Sequence, residues 1–186
     1  MCLLSIFFSR NHLKFLELSK DNMVEKLNSV WCFWYHLDLT CWTANSFKLL
    51  AKIETVEDFW QMVETLQNNQ IIIEHIYFMR DGIMPMWEDD HNRNGGCWSL
   101  KVDIKDSYLT LVKILIYLIG ENILYKDGKN ISDEMTGISL CQKNNYNCVL
   151  QLWTSNSKNN KINFLKKEIT DAHGYEVIFK SHIAEF

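Results

Sequence analysis

The spacing of apolar residues changes along this chain, and each change predicts an element. Residues 31–35 and 47–53 are rich in aromatic and aliphatic side chains and read as two strands. Thr55 then caps a helix whose first turn holds Glu57 and Asp58. Val56, Phe59, Trp60, Val63 and Leu66 recur at helical spacing until Asn68-Asn69. Residues 73–79 and 97–102 read as a third and a fourth strand. Residues 108–121 form a second helix, apolar on nearly every face, with Gly120 marking its end. A helix this apolar is buried on one side and contacted on another. Residues 126–133 are a polar loop, and residues 137–142 and 149–154 a hairpin joined by 143–147. Residues 158–169 predict a third helix and 175–179 a last strand. Residues 12–26 mix apolar and charged positions as a short helix or loose arm does. Strands interspersed with helices predict an α+β fold on one antiparallel sheet. No repeat, linker or low-complexity block divides the chain, so one domain over 27–186 follows an N-terminal arm over 1–26.

Between the third and fourth strands, residues 80–98 hold the only proline, Pro85. Asp81-Gly82 signals a turn, and Trp87-Glu88 precedes a polar run ending in Gly95-Gly96. This reads as a shaped loop that presents an indole beside a carboxylate. The indole offers a face for stacking, and the carboxylate can accept both N–H donors of guanine's Watson–Crick edge. The other reading is a core tryptophan with a solvated glutamate beside it.

Composition narrows the function. A chain of 186 residues, 47% of them hydrophobic, can bury one real core. A net charge of −4 excludes a basic coat, so any nucleic-acid contact is local. The six cysteines form no C-x-x-C pair and no zinc spacing, which fits free thiols in a reducing cytosol and a cytoplasmic protein. The apolar start lacks a leading basic residue and is cut short by Arg10, so no membrane association is expected. Asn130-Ile131-Ser132 matches a glycosylation acceptor, which has no meaning in the cytosol. Glu88-Asp89-Asp90-His91 offers four metal-ligand types in a row, but sequence neighbours rarely converge on one ion and EF-hand spacing is absent. No nucleophile–base order, H-E-x-x-H or phosphate-cradling glycine loop is visible, so no catalytic residue, metal or cofactor is expected.

Residues 81–89, Asp-Gly-Ile-Met-Pro-Met-Trp-Glu-Asp, and then Gly95-Gly96-Cys97-Trp98 closely resemble the eukaryotic translation initiation factor 4E family of messenger-RNA cap-binding proteins. So do residues 55–60, Thr-Val-Glu-Asp-Phe-Trp, and residues 31–35, Trp-Cys-Phe-Trp-Tyr. Ile119-Gly120-Glu121, Leu152-Trp153-Thr154 and Ser181-His182 complete a set that keeps the family's order from about residue 27 to 183. The resemblance implies a curved antiparallel sheet with helices on its convex back and a cap pocket on the concave side. It implies that Trp42 and Trp87 sandwich 7-methylguanine, that Glu88 reads the base edge, and that Trp153 touches the methyl group. A positively charged methylated ring adds a cation–π term to stacking.

Phosphate contacts depart from the family pattern. Cys97 stands where the family has a basic residue between Gly-Gly and Trp, and a second basic position falls near Cys148 or Val149 and is lost. Lys143 aligns with a phosphate-binding residue, and Arg93 is a candidate substitute. After Phe186 the family's C-terminal loop is mostly missing. The loop carrying Trp42 is about two residues shorter than its family counterpart. On the back, the resemblance implies that Val56, Trp60, Val112, Ile116 and Ile119 flank a groove for a helical partner peptide. The expected partners are capped mRNA and a scaffold initiation factor of the 4G type or a 4E-binding regulatory protein. The family's His-Pro before the first strand is Glu25-Lys26, and its acidic groove residue is Lys113. The sequence therefore predicts a cap-binding factor of translation initiation. The alternatives are an interaction protein or decoy that binds partners with weak or no cap affinity, and a metal-dependent hydrolase resting on the acidic run alone.

Overall fold

The computed structural model describes residues 24–36, 40–68, 75–170 and 176–183. The expected N-terminal arm lies almost wholly outside the described residues. The elements in order are β1 (Lys26–His36), β2 (Phe47–Thr55), α1 (Val56–Asn68), β3 (His75–Arg80), β4 (Gly96–Asp103), α2 (Ile104–Ile119), β5 (Tyr125–Lys126), β6 (Lys129–Asn130), β7 (Met135–Gln142), β8 (Asn147–Thr154), α3 (Lys167–Thr170) and β9 (Val177–Ser181). Seven strands form one sheet in the order β2-β1-β3-β7-β8-β4-β9, every pair antiparallel. β5 and β6 form a separate two-stranded ribbon.

Strand side chains alternate between faces, and the two faces here are chemically distinct. Trp31, Phe33, Phe78, Ile138, Leu140, Leu150, Leu152, Trp98, Leu100 and Val102 point to one side. They pack with Phe59, Met62, Val63 and Leu66 of α1 and Leu111, Val112, Ile114, Leu115 and Leu118 of α2 in one core. A small apolar void lined by Phe33, Met62, Leu66 and Leu111 lies within it, on the helix side. The residues between them in sequence, Tyr77, Met79, Cys97 and Trp153, belong to a second cluster on the other face, with Phe47 and Ile83. The α+β architecture with helices on one face of the sheet is as the sequence predicts.

Local chemistry accounts for the element starts. Thr55 Oγ1 accepts the Asp58 N–H at 3.1 Å while Asp58 Oδ2 accepts the Thr55 N–H at 3.0 Å, a reciprocal capping box at the start of α1. Arg80, at the end of β3, pairs with Glu121 at 2.9 Å, donates to the Met135 carbonyl at 3.2 Å and lies over the Trp31 ring at 4.7 Å. It thereby ties together β1, β3, β7 and the end of α2.

Three elements differ from the sequence reading. The helix predicted over 158–169 is instead a 3-10 turn at Ile162–Phe164 followed by the four-residue α3. Tertiary bonds override its helical spacing: Leu165 bridges to Leu124, Lys166 N–H donates to the Ile123 carbonyl, and buried Asn159 donates to Glu134. The polar loop over 126–133 contains the β5–β6 hairpin, turned by Asp127 (φ 50°) and Gly128 (φ 77°). That Asp-Gly pair is a hairpin signal the reading passed over. Finally, α2 begins four residues before Tyr108, directly after β4.

Candidate functional site

The loop between β3 and β4 is built from its own hydrogen bonds. Gly82, at φ 82°, turns the chain. Asp89 Oδ2 accepts the Met84 N–H and its Oδ1 accepts the His91 N–H, each at 2.9 Å. Asn92, fully buried, donates from Nδ2 to the Met84 and Met86 carbonyls at 2.9 Å. A Cβ at Gly95 would stand 1.7 Å from the Thr154 carbonyl oxygen, so only glycine lets the loop return this close to β8. The loop thus holds Trp87 43% exposed, with Glu88 exposed beside it.

β9 and the residue that follows it supply what the sequence reading missed. His182 stacks on Trp87, with ring centroids 5.3 Å apart and planes at 14°, and lies 5.0 Å from the Trp153 ring. The Lys180 ammonium is 5.1 Å from the Trp87 ring centroid. His182 appeared in the sequence only as part of a family motif, and Lys180 carried no signal at all. His182 Nδ1 lies 2.9 Å from the Asn92 carbonyl oxygen, which can only accept, so Nδ1 carries the proton. Its Nε2 is buried without a hydrogen-bond partner. Burial pushes the imidazole below its usual range; the Asn92 bond opposes this, Lys180 adds to it, and Glu88 opposes it.

Trp42 is 52% exposed and stacks on His36, with centroids 4.1 Å apart and planes at 20°. His36 Nε2 lies 2.9 Å from Ser46 Oγ and 3.1 Å from the Cys41 carbonyl. Each of the two exposed indoles is therefore braced by an imidazole. Trp153 is buried and donates from Nε1 to Ser139 Oγ at 3.0 Å. Beyond it, Ser139 Oγ donates to Gln151 Oε1 and Gln151 Nε2 donates to Ser99 Oγ, each at 3.3 Å, a polar ladder across β7, β8 and β4.

Other sequence candidates fall elsewhere. Arg93 pairs with Asp90 at 3.1 Å on the loop surface, so its charge already has a neighbour. Lys143 is exposed where β7 ends, six residues beyond Gly137, the partner of Trp153, or about 20 Å along the strand. The acidic run does not converge. Asp89 staples the loop and holds His91 Nδ1 at 3.1 Å, while Asp90 takes Arg93. Among the described residues no group of three or more His, Cys, Asp or Glu is placed to hold a metal.

On the helix side, Val56 and Trp60 of α1 are partly buried, and Ile116 of α2 is 39% exposed. Lys113 is exposed and Ile119 partly buried. Val112 does not line a groove: it is 1% exposed and packs into the core. The outward stripe of α2 instead runs through Leu109, 49% exposed, to Lys113 and Ile116 at i, i+4 and i+7. The Glu25 carbonyl accepts the Val56 N–H, placing Glu25-Lys26 beside the start of α1. No helix among the described residues is long and apolar enough to cross a membrane.

A seven-stranded antiparallel sheet is backed by helices and carries two half-exposed indoles, each braced by an imidazole, one of them with an exposed glutamate next in sequence. The chain belongs to the eukaryotic initiation factor 4E family, whose model matches residues 26–184. It is 30% identical to the eukaryotic translation initiation factor 4E of Candida albicans over 178 residues, covering 88% of this chain and 82% of that protein. It is 30% identical to the human factor over 119 residues, covering 60% of this chain and 52% of that protein. The match to the zebrafish factor 4E-1A, 30% over 110 residues, covers 55% of this chain and 51% of that protein. The chain thus spans about half the length of these two vertebrate relatives. Among solved structures it is similar in fold to Ascaris suum eIF4E-3 in complex with m7G cap, with TM-score 0.71, 24% identity, and 88% and 94% of the two chains covered. It is likewise similar to Caenorhabditis elegans eIF4E-3 in complex with the 4E-binding protein Mextli and cap analog, with TM-score 0.72, 24% identity, and 86% and 94% covered.

Proposed function

We propose that this protein binds the 7-methylguanosine cap of mRNA in the cytoplasm and engages a helical partner peptide, of the 4G or 4E-binding kind, through its helix-covered face. It acts as a translation initiation factor by binding, not by turnover. The observation that carries this reading is the trio of half-exposed Trp42 and Trp87 with exposed Glu88, in a chain of this family. The two indoles stack the methylated base, Glu88 accepts its edge N–H donors, and Trp153 borders the methyl group. Base–aromatic stacking contributes about 1–3 kcal/mol per base, and the ring's positive charge adds a cation–π term of up to about 2 kcal/mol. The charge also separates methylated from plain guanine.

Retention on immobilised 7-methyl-GTP, with release by the free nucleotide and not by GTP, tests the reading. Trp87→Ala, folded by circular dichroism, is expected to lose retention. A folded wild type that is not retained would refute cap binding. That result would favour the second reading, a partner-binding protein without cap affinity. One observation speaks for this second reading: Cys97 and Val149, facing the site, supply no charge for phosphate.

A further inference from the structure

Lysines on the ligand face lie directly across from the two positions that lack a cation. Cys97 of β4 pairs with Trp153 on one side and with Lys180 of β9 on the other. Directly opposed residues of antiparallel strands project to the same face, so Trp153, Cys97 and Lys180 form one row. Two rows along, Val149 of β8 pairs with Lys101 of β4. Cys148 packs in the helix-side core, so Val149 is the ligand-face residue of that pair. Lys101 shares the face of Cys97 and Ser99 by strand alternation and is exposed, as is Lys180. Between the two lysines runs the ladder of Ser99, Gln151 and Ser139.

We propose that Lys180 and Lys101 form the anion track for the phosphates of the bound nucleotide, each reaching from the strand next to the position that lost its charge. The inference rests on the cap-binding reading above. The Lys180 ammonium stands 5.1 Å from the Trp87 ring centroid. A base stacked on that indole leads through its ribose into the phosphate chain, so the first phosphate leaves the ring within reach of Lys180. Four residues of β4 separate the two rows, about 13 Å. Flexible side chains reaching inward from both ends cover that span, and the Ser99 hydroxyl between them, which accepts from Gln151, can donate to a phosphate oxygen. Lys143, about 20 Å along the sheet from the Trp153 row, and Arg93, held by Asp90, are placed less well.

The test compares affinities for 7-methylguanosine, its 5′-monophosphate and its 5′-triphosphate, read by tryptophan fluorescence. The proteins are wild type, Lys180→Gln, Lys101→Gln and the double variant. Both residues are exposed, and thermal melts check the fold. The readout is the affinity ratio of triphosphate to nucleoside within each protein. Each single change should cut that ratio by up to about fivefold, the upper end for an exposed ion pair. The double variant should also flatten the salt dependence by about 0.7 per lost charge. Returning a lysine across the strand pair, as Lys101→Gln with Val149→Lys, should restore the ratio. If wild type gains affinity from phosphates and the double variant gains as much, the track is wrong while cap binding stands. If wild type binds none of the three ligands, both readings fall.

Discussion

His182 links the titration of one imidazole to the integrity of the ligand face. Its Nδ1–H is committed to the Asn92 carbonyl, so a second proton must go to Nε2, which is buried and unpartnered. The groups facing it are the Trp87 and Trp153 rings, the Lys180 ammonium and the Glu88 carboxylate. Burial depresses its proton affinity below the usual imidazole value of 6.5, so the folded state binds fewer protons than the unfolded state. The contribution is therefore fully present above pH 6.5 and fades as pH falls below it. Each pH unit over which the unfolded imidazole is charged and the folded one is not is worth roughly 1.4 kcal/mol, and partial solvent access and the Glu88 charge reduce the effect, leaving a loss on the order of 1 kcal/mol. Urea unfolding of wild type and His182→Asn at pH 7.5 and pH 5 measures it. The asparagine amide stands where Nδ1 does and can still donate to the Asn92 carbonyl, but it does not titrate. The stability difference between the two pH values should be about 1 kcal/mol larger in wild type. Equal pH dependence in the two proteins would remove His182 from this role.

Two further predictions concern the helix side. Asp58→Ala removes the reciprocal half of the capping box at α1 and should cost about 1 kcal/mol of stability by denaturant titration, with no change in cap retention. Lys113→Glu should tighten binding of a helical peptide carrying a basic side chain at the groove rim, modestly and less so at high salt. Isothermal titration checks this, and an unchanged affinity would count against Lys113 at the rim.

The main strands and the two main helices were legible because long apolar segments carry their own period, whereas the strand order, set by long-range pairing, was not. Residues 158–169 misled because helical spacing there serves separate purposes: Asn159 feeds Glu134, and Leu165 joins Leu124. Trp87 and Glu88 stood out through their motif and Trp42 through the loop matched to the family's, and the structure leaves all three exposed. Val112 was misplaced because an all-apolar helix does not declare which stripe faces out; a shift of one position moves the exposed line to Leu109, Lys113 and Ile116. His36, His182 and Lys180 were not legible as site residues. Their neighbours come from other strands or from loop folding, and a lone lysine in a five-residue strand has no local signature.

The same strands explain how this chain can depart from its family on the ligand face without disturbing the core beneath the helices. Cys97 lies next in sequence to Trp98, and Trp153 next to Leu152, yet each pair divides between the ligand face and the core. A change at a ligand-face position leaves the helix-side packing untouched, so a cation can be lost at Cys97 or Val149 with little effect on the core. The two braced indoles show what the ligand face retains. A side chain ordered only on binding loses about 0.5–1.5 kcal/mol in doing so. His36 under Trp42 and His182 against Trp87 set both ring planes beforehand. Preorganised platforms lower the ordering cost of stacking, which is why loss of retention in Trp87→Ala, with the fold intact, is the outcome that separates the cap-binding reading from one in which the chain binds partners alone.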